Sequence, residues 1–259
     1  MIRGLYTSGY GMLTLNRKMD VLSNNLANVD TNGFKKDGVV FEEFSDVLAK
    51  RIYDYQNTPL GTPANIGNMS LFNDIAMVHT DFTQGSLENT NLKTDLAING
   101  DDTALFSVAV QGTDGTYNEY YTRDGSFKLD AQGRLVTKDG YAVMGSKGAI
   151  TLDGSDFTVN SKGEIFQNNV LVDALKIRKI NNPETLRKYG ENLLTITQES
   201  TDGAFGGEVV QGFVERSNVD SVKEMVDMIS LLRSYEANQK MIQYQDATLD
   251  KAVNEIGRV

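Results

Sequence analysis

The chain has no cysteine, no tryptophan, one histidine and three prolines among its 259 residues. The absence of cysteine excludes a disulfide scaffold, a thiolate metal site and a cysteine nucleophile. The single imidazole, His79, cannot complete a usual zinc set, and we interpret it as an ordinary structural residue. No apolar run reaches the roughly 18 residues of a membrane span. We therefore expect no metal, no cofactor and no membrane insertion.

Basic residues are also scarce. The chain carries 25 Lys and Arg against 35 Asp and Glu, a net charge of −10. Residues 51–214 hold 21 acids and 13 bases, so −8 of that charge lies in the middle of the chain. A protein that binds a phosphate backbone needs a basic stripe, and no segment supplies one. Nucleic acid is thus excluded as a partner.

Near the N-terminus, apolar residues recur at steps of 7, 3, 4, 3, 4 and 3. They are Leu5, Met12, Leu15, Met19, Leu22, Leu26 and Val29. This spacing predicts a helix with a narrow heptad stripe. Thr31-Asn32-Gly33 then provides a glycine-containing helix end.

A second narrow stripe lies near the C-terminus. Ser217-Asn218 offers N-cap oxygens, and Ser221 precedes Glu224 at the capping-box spacing. The stripe that follows consists of Val222, Met225, Ile229, Leu232, Tyr235, Ile242, Leu249, Val253 and Ile256. We expect a long helix here as well.

Between the helices the apolar period changes to two, and Asn-Gly and Asp-Gly pairs recur as turn signals. Residues 127–135 align without gaps with residues 157–165, which predicts the same hairpin built twice. Residues 90–212 are therefore a central antiparallel β domain. Residues 35–89 are a connector with extended segments: 39–52 has some helical character, 56–68 is a flexible connector, and 75–82 is a candidate edge strand.

The predicted fold is α+β, with long N- and C-terminal helices pairing as a coiled-coil-like stalk beside the central β domain. Residues 1–34 and 217–259 then form a helical assembly domain. Isolated helices are marginal in water, so helices with narrow stripes need further packing partners. Contacts between copies that do not close into a ring give helical filaments.

The chain resembles the bacterial flagellar rod and hook protein family. The similarity is carried by residues 23–35 and 217–238 at the ends, and by residues 82–87, 95–100 and 121–127 in the middle. The length, the lack of a large inserted outer domain and the segment 121–127 favour a rod protein over a full-length hook protein. Within the rod, the distal rod protein is the first choice and the proximal rod protein is next.

The resemblance implies a structural subunit of the flagellar basal-body rod that catalyses nothing. Such subunits polymerise with copies of themselves and with other rod and hook proteins into a hollow axial tube that transmits torque. The resemblance also implies passage through the flagellar type III export apparatus without a cleaved signal peptide.

The resemblance assigns the two stripes above to the assembly interface. Asn24, Asn25 and Asn28 lie on the helix flank, where their amides either bond neighbouring chains or simply solvate the helix end. Thr31 and Gly33 would end the helix, and Phe34 would pack beneath the turn.

Two other functions stay open at this point. One is a secreted carbohydrate- or peptidoglycan-active enzyme, which would need two carboxylates about 5–10 Å apart in one cleft of the β domain. The other is an adhesin-like module whose β domain binds an external ligand.

Overall fold

The computed structural model describes residues 2–43, 47–51, 64–69, 73–112, 116–190 and 192–256. It confirms an α+β protein with a helix near each end and a central antiparallel β domain. Helix α1 is Ile2–Ala27, and helix α2 is Ser221–Lys251, followed by a π turn at Ala252–Ile256. The chain divides into two compact units, which are described separately.

Unit 1 comprises residues 1–24, 37–79 and 222–259. It holds most of both helices and four strands. These are β1 (Asp37–Glu43), β2 (Val47–Arg51), β3 (Ala64–Met69) and β4 (Asn73–Thr80), which ends one residue beyond the unit. Strand β1 pairs with β4, and β2 pairs antiparallel with β3.

The helical interpretation of residues 39–52 is wrong, because β1 and β2 occupy the described part of that segment. Val39, Val40 and Phe41 are β-branched or aromatic, and such residues favour strands. The candidate edge strand at 75–82 is β4. Most of the flexible connector predicted at 56–68 lies outside the described residues, although 64–68 belong to β3.

Unit 2 comprises residues 25–36 and 80–221. Its strands are β5 (Leu87–Asn89), β6 (Leu96–Asn99), β7 (Ala104–Gln111), β8 (Tyr117–Thr122), β9 (Lys128–Leu129), β10 (Leu135–Val136), β11 (Ala142–Gly145), β12 (Gly148–Ala149), β13 (Thr158–Val159), β14 (Glu164–Gln167), β15 (Val170–Ala174), β16 (Ile177–Ile180), β17 (Leu186–Tyr189), β18 (Leu193–Ile196), β19 (Asp202–Gly203), β20 (Glu208–Gln211) and β21 (Phe213–Glu215). A 3₁₀ turn at Pro183–Thr185 precedes β17.

The main sheet of unit 2 has ten strands and runs in the order β17-β18-β8-β7-β11-β10-β9, with β12, β16 and β19 attached beside this path. Smaller pairings join β13-β14-β15, β20 to β6, and β21 to β5. The recorded strand pairs of this unit are antiparallel.

The main sheet is covered on both faces. Phe106 and Val108 of β7 enter the larger apolar core, while Leu105 enters a smaller core on the opposite face. Ser107 is fully buried as well. A strand buried on both faces lacks the apolar-polar alternation of a half-exposed strand, so the small residues of β7 do not mark a solvent face.

The duplicated hairpin is confirmed. Leu135 pairs with Leu129, and Ile165 pairs with Val159, the same register 30 residues later. Gly133 and Gly163 have φ angles of +76° and +80°. In both copies the residue three positions before the glycine, an Asp or an Asn, accepts backbone N–H bonds from the turn through its side-chain oxygen. Local turn chemistry thus forms the same structure twice.

Phe106→Ala should lower the free energy of unfolding by about 3–5 kcal/mol, because it leaves a cavity in the larger core. Phe106 is fully buried and packs edge-to-face on Phe127, with ring centroids 5.3 Å apart. Urea denaturation followed by tyrosine fluorescence measures the loss. The matched control, Tyr117→Ala, removes a side chain that is 66% exposed and should change stability by less than about 0.5 kcal/mol. Equal effects of the two variants would contradict the assigned core.

Candidate functional site: a buried ionic cluster and the helix faces

The segment that follows α1 turns sharply. Thr31 Oγ1 donates to Asn28 Oδ1 over 3.1 Å, and Phe34 N donates to Thr31 O over 3.3 Å. Gly33 has φ +69°, and a Cβ atom at this position would collide with the backbone of Arg123 and Asp124. Glycine is required here for both backbone conformation and space.

Glu215, at the end of β21, lies at the centre of a buried ionic cluster. Its Oε1 accepts from Lys35 Nζ over 2.6 Å and from Gly85 N over 3.0 Å. Its Oε2 accepts from Arg123 Nε over 2.6 Å, and its backbone oxygen accepts from Gly33 N over 2.7 Å. The cluster therefore joins the segment after α1 to the residues shortly before α2.

Arg123 is 2% exposed, and three backbone oxygens accept hydrogen bonds from its two terminal nitrogens. Nη1 donates to Asp101 O over 2.7 Å and also to Ala104 O, while Nη2 donates to Ile98 O over 3.2 Å. A planar guanidinium with five N–H donors suits such a set of acceptors. Arg123 thus links the cluster to the loops around β6 and β7.

The cluster sets two cations against one carboxylate. Burial lowers the pKa of Lys35 from its ordinary 10.5, although the Glu215 carboxylate and its hydrogen bond act in the opposite direction. Lys35 Nζ also donates to Thr83 O over 2.7 Å. Each buried charge has partners, as buried charges require.

Phe34 packs beside this cluster and is 3% exposed. The Lys188 ammonium lies 4.4 Å from the centroid of its ring and donates to Lys35 O over 2.8 Å. Asn192 Nδ2 donates to Asn32 O over 2.9 Å. Residues 32–35 are therefore held by side chains of the β17–β18 hairpin.

Asn218 does not act as the predicted N-cap. Helix α2 begins at Ser221, and the Asn218 side chain instead accepts from Lys36 N over 2.8 Å and donates to Asp81 O over 2.8 Å. Ser217 Oγ accepts from Val219 N over 3.3 Å. The hydrogen bonds of Ser217 and Asn218 therefore hold the segment that leads into α2.

In unit 1, α1 turns small residues towards α2. A Cβ atom at Gly4 would collide with the Gln245 amide, and one at Gly11 would lie 3.4 Å from Asn238 Nδ2. From the first contact to the second, the residue number increases on α1 and decreases on α2, so the two helices run antiparallel here. Ser8 and Thr14 are buried nearby. We call Gly4, Ser8, Gly11 and Thr14 the small-residue face.

The least exposed positions of α2 within unit 1 alternate in steps of four and three residues. They are Glu224, Met228, Leu231, Tyr235, Asn238, Ile242, Gln245 and Leu249, which we call the inner face of α2, and the same spacing continues to Ala252 in the π turn. This is heptad spacing, and its members include two amides that meet the glycines of α1.

The structure distributes the sequence-predicted stripe residues over different surroundings. Leu22 is buried, and Leu5, Met12, Leu15, Met19, Leu26, Val29, Tyr235, Ile242 and Leu249 are half-buried. Val222, Met225, Ile229, Leu232 and Val253 are 42–70% exposed, and the side chain of Ile256 lies outside those described. Asn24 is exposed, Asn28 half-buried and Asn25 only 1% exposed.

Sequence reasoning missed Arg123, Glu215 and the small-residue face. The signal for Glu215 was an acid directly after the apolar pair Phe213-Val214, within a short strand. The signal for the small-residue face was the recurrence of Gly or Ser at positions 4, 8 and 11. Both signals are weak because neither indicates which residues these positions contact in the folded chain.

Three family models match the chain. They are the flagella basal body rod protein over residues 5–35, the flagellar hook protein FlgE/F/G D1 domain over 97–169, and the flagellar basal body rod FlgEFG protein C-terminal region over 210–255. Flagellar basal-body rod protein FlgG of Borreliella burgdorferi is 36% identical over 98% of each chain.

Two Bacillus subtilis proteins are similar over almost their whole lengths. The flagellar hook-basal body complex protein FlhO is 32% identical over 100% of both chains, and flagellar basal-body rod protein FlgG is 33% identical over 98% of this chain and 99% of its own.

These similarities define a structural component of the flagellar basal body. The chain belongs to the flagellar basal-body rod protein family and is a structural rod subunit, not an enzyme. The carbohydrate- or peptidoglycan-active enzyme is accordingly not supported. Among the described residues, no helix combines the length and apolar character that crossing a membrane requires.

Glu215→Gln should lower the free energy of unfolding by about 3–5 kcal/mol, because it leaves Lys35 and Arg123 buried without a countercharge. The control is Glu88→Gln, which affects an exposed pair with Arg216 at 2.8 Å and should cost less than about 1 kcal/mol. Denaturant titration of both variants measures the difference. Similar losses of unfolding free energy would show that the buried cluster stabilises the fold no more than an exposed ion pair does.

Lys35→Met should cost less than Glu215→Gln, because the Arg123–Glu215 pair survives and burial already disfavours the Lys35 charge. The folded protein releases the Lys35 proton at a lower pH than the unfolded chain does. The wild-type chain therefore gains stability relative to Lys35→Met as pH rises towards 10.5. Urea titrations of both proteins at neutral pH and about pH 10 measure this gain. A difference in stability between the two proteins that stays the same at both pH values would contradict the buried environment assigned to Lys35.

Proposed function

We propose that the chain polymerises with copies of itself through its terminal helices, forming part of the hollow axial rod that transmits torque. The observation that carries this proposal is the set of large apolar side chains exposed on both helices. Tyr6 and Leu13 on α1 are 60% and 48% exposed, and Val226 and Ile229 on α2 are 59% and 52% exposed. Exposed apolar surface of this extent marks an interaction site.

Coiled-coil-like pairing of α1 with α2 forms part of the proposal. Its support is the heptad spacing of the inner face of α2 and the two contacts at Gly4 and Gly11. A pair of helices buries only one side of each helix, so the remaining sides need neighbouring copies. The sequence-predicted stripes would share in that interface, and the amide of Asn24 would lie at its edge.

Further parts of the proposal rest on family membership. We place the subunit in the rod and not in the hook because of its length and residues 121–127, with the distal rod as the first choice and a proximal position as the alternative. Other rod and hook proteins are its neighbours in the basal body. Export by the flagellar type III apparatus without a cleaved signal peptide completes the proposed route.

Polymerisation tests the proposal directly. Concentrated full-length protein should sediment as filaments or oligomers visible by negative-stain electron microscopy, whereas a chain ending at residue 221 should remain monomeric. Tyr117→Ala, which changes an exposed residue of the β unit, is the control and should polymerise like the wild type. A full-length chain that stays monomeric, or a truncated chain that polymerises equally well, would contradict the role given to α2.

A further inference from the structure

Helix α1 has a second face, composed of large apolar side chains. Tyr6, Tyr10 and Leu13 are 60%, 43% and 48% exposed. Each comes two positions after a member of the small-residue face, which is about 200° around a helix that turns about 100° per residue. Between Tyr6 and Leu13, the side of α1 opposite its own α2 is therefore apolar. We call these three residues the outer face of α1.

Helix α2 has a corresponding outer face, made of Met225, Val226, Ile229 and Leu232. These side chains are 45%, 59%, 52% and 42% exposed. Met225, Ile229 and Leu232 each follow a member of the inner face by one position, about 100° around the helix. This outer face is thus separate from the face that turns towards α1.

The two outer faces match in length. Tyr6 to Leu13 and Met225 to Leu232 are both eight residues, or seven steps, and cover about 10 Å of helix. Both also lie outside an antiparallel contact already made between α1 and α2 of one chain. Within one chain Gly4 lies opposite Gln245 and Gly11 opposite Asn238. A row of alternating α1 and α2 helices therefore brings the two outer faces side by side when successive copies are displaced by about 11 residues, about 16 Å, along the helices.

We propose that the outer face of α1 in one copy packs on the outer face of α2 in a second copy. This inference rests on the proposed polymerisation and specifies its contact. A growing filament needs a heterologous contact, because like faces meeting across a two-fold axis close into a dimer. Two different outer faces on one chain supply the heterologous contact.

The contact is antiparallel. In a polymer whose helices follow its axis, every copy has its α1 pointing in one direction and its α2 in the other. Leu13 of one copy then lies opposite Met225 of the next, and Tyr6 lies opposite Leu232. Each pair joins large apolar side chains that are exposed in the single chain.

Disulfide cross-linking tests this contact without background, because the chain has no cysteine of its own. Polymers are assembled from equal amounts of Leu13→Cys and Met225→Cys single variants, oxidised, and analysed by non-reducing electrophoresis. The matched control replaces Met225→Cys by Asp227→Cys. Asp227 is exposed and close in sequence but lies about 160° from Met225 and about 100° from Val226 around α2.

We expect about tenfold more mixed dimer with Met225→Cys than with Asp227→Cys, because a disulfide forms only where Cβ atoms approach within about 4.5 Å. Equal yields, or self-dimers of Leu13→Cys exceeding the mixed dimer, would overturn the contact while leaving polymerisation intact. Mixing Leu13→Cys with Leu232→Cys reports orientation, and a dominant cross-link there would overturn the antiparallel arrangement. Failure of the wild-type chain to polymerise would instead refute the proposed function.

Discussion

The Glu215 carboxylate, held between Lys35 and Arg123, is the interaction on which the arrangement of unit 2 depends. A buried carboxylate is tolerated only when countercharges and hydrogen bonds replace its water, and Glu215 obtains them from three distant segments. Those segments follow α1, precede β5 and follow β8. Leaving any of these charges unpaired would cost free energy. This cost holds the segment after α1 and the segment before α2 together within unit 2.

Close approach of backbones makes this cluster possible. Side chains at Gly33 and Gly85 would collide with the backbones of Arg123 and Arg216, respectively. Their amides instead donate to Glu215. The segment that carried the resemblance to rod and hook proteins, ending in Asn32-Gly33-Phe34-Lys35, thus has a physical explanation. Gly33 forms the turn, and the Phe34 ring lies against the Lys188 ammonium. Lys35 forms an ion pair with the buried Glu215 carboxylate.

The helices of unit 1 divide their surfaces in a way that suits a polymer subunit. Gly4 and Gly11 of α1 lie against the Gln245 and Asn238 amides of α2. Tyr6, Leu13, Val226 and Ile229 lie elsewhere on the two helices and remain exposed. In an isolated chain these apolar side chains stay in contact with water and do not contribute the stabilisation that burial would give. For a rod subunit it leaves apolar surface where neighbouring copies can cover it.

The amino-acid sequence by itself determined the elements whose causes are local. Apolar periodicity specified two terminal helices, and the repeated Asp or Asn followed by Gly specified two equivalent hairpins, since turn geometry depends on a few adjacent residues. Residues 39–52 were misread because a short apolar run fits helix or strand until its pairing partner is known.

The partners of individual side chains were decided only by the tertiary structure. Lys35, Arg123 and Glu215 are separated by 88 and 92 positions in the chain, so no local pattern pairs them. Likewise, the stripe of large residues on α1 suggested its packing face but gave no sign that Gly4 and Gly11 meet amides of α2, because the contact between two helices depends on both surfaces at once. Local conformation follows from neighbours in the chain, whereas burial and charge pairing follow from neighbours in space.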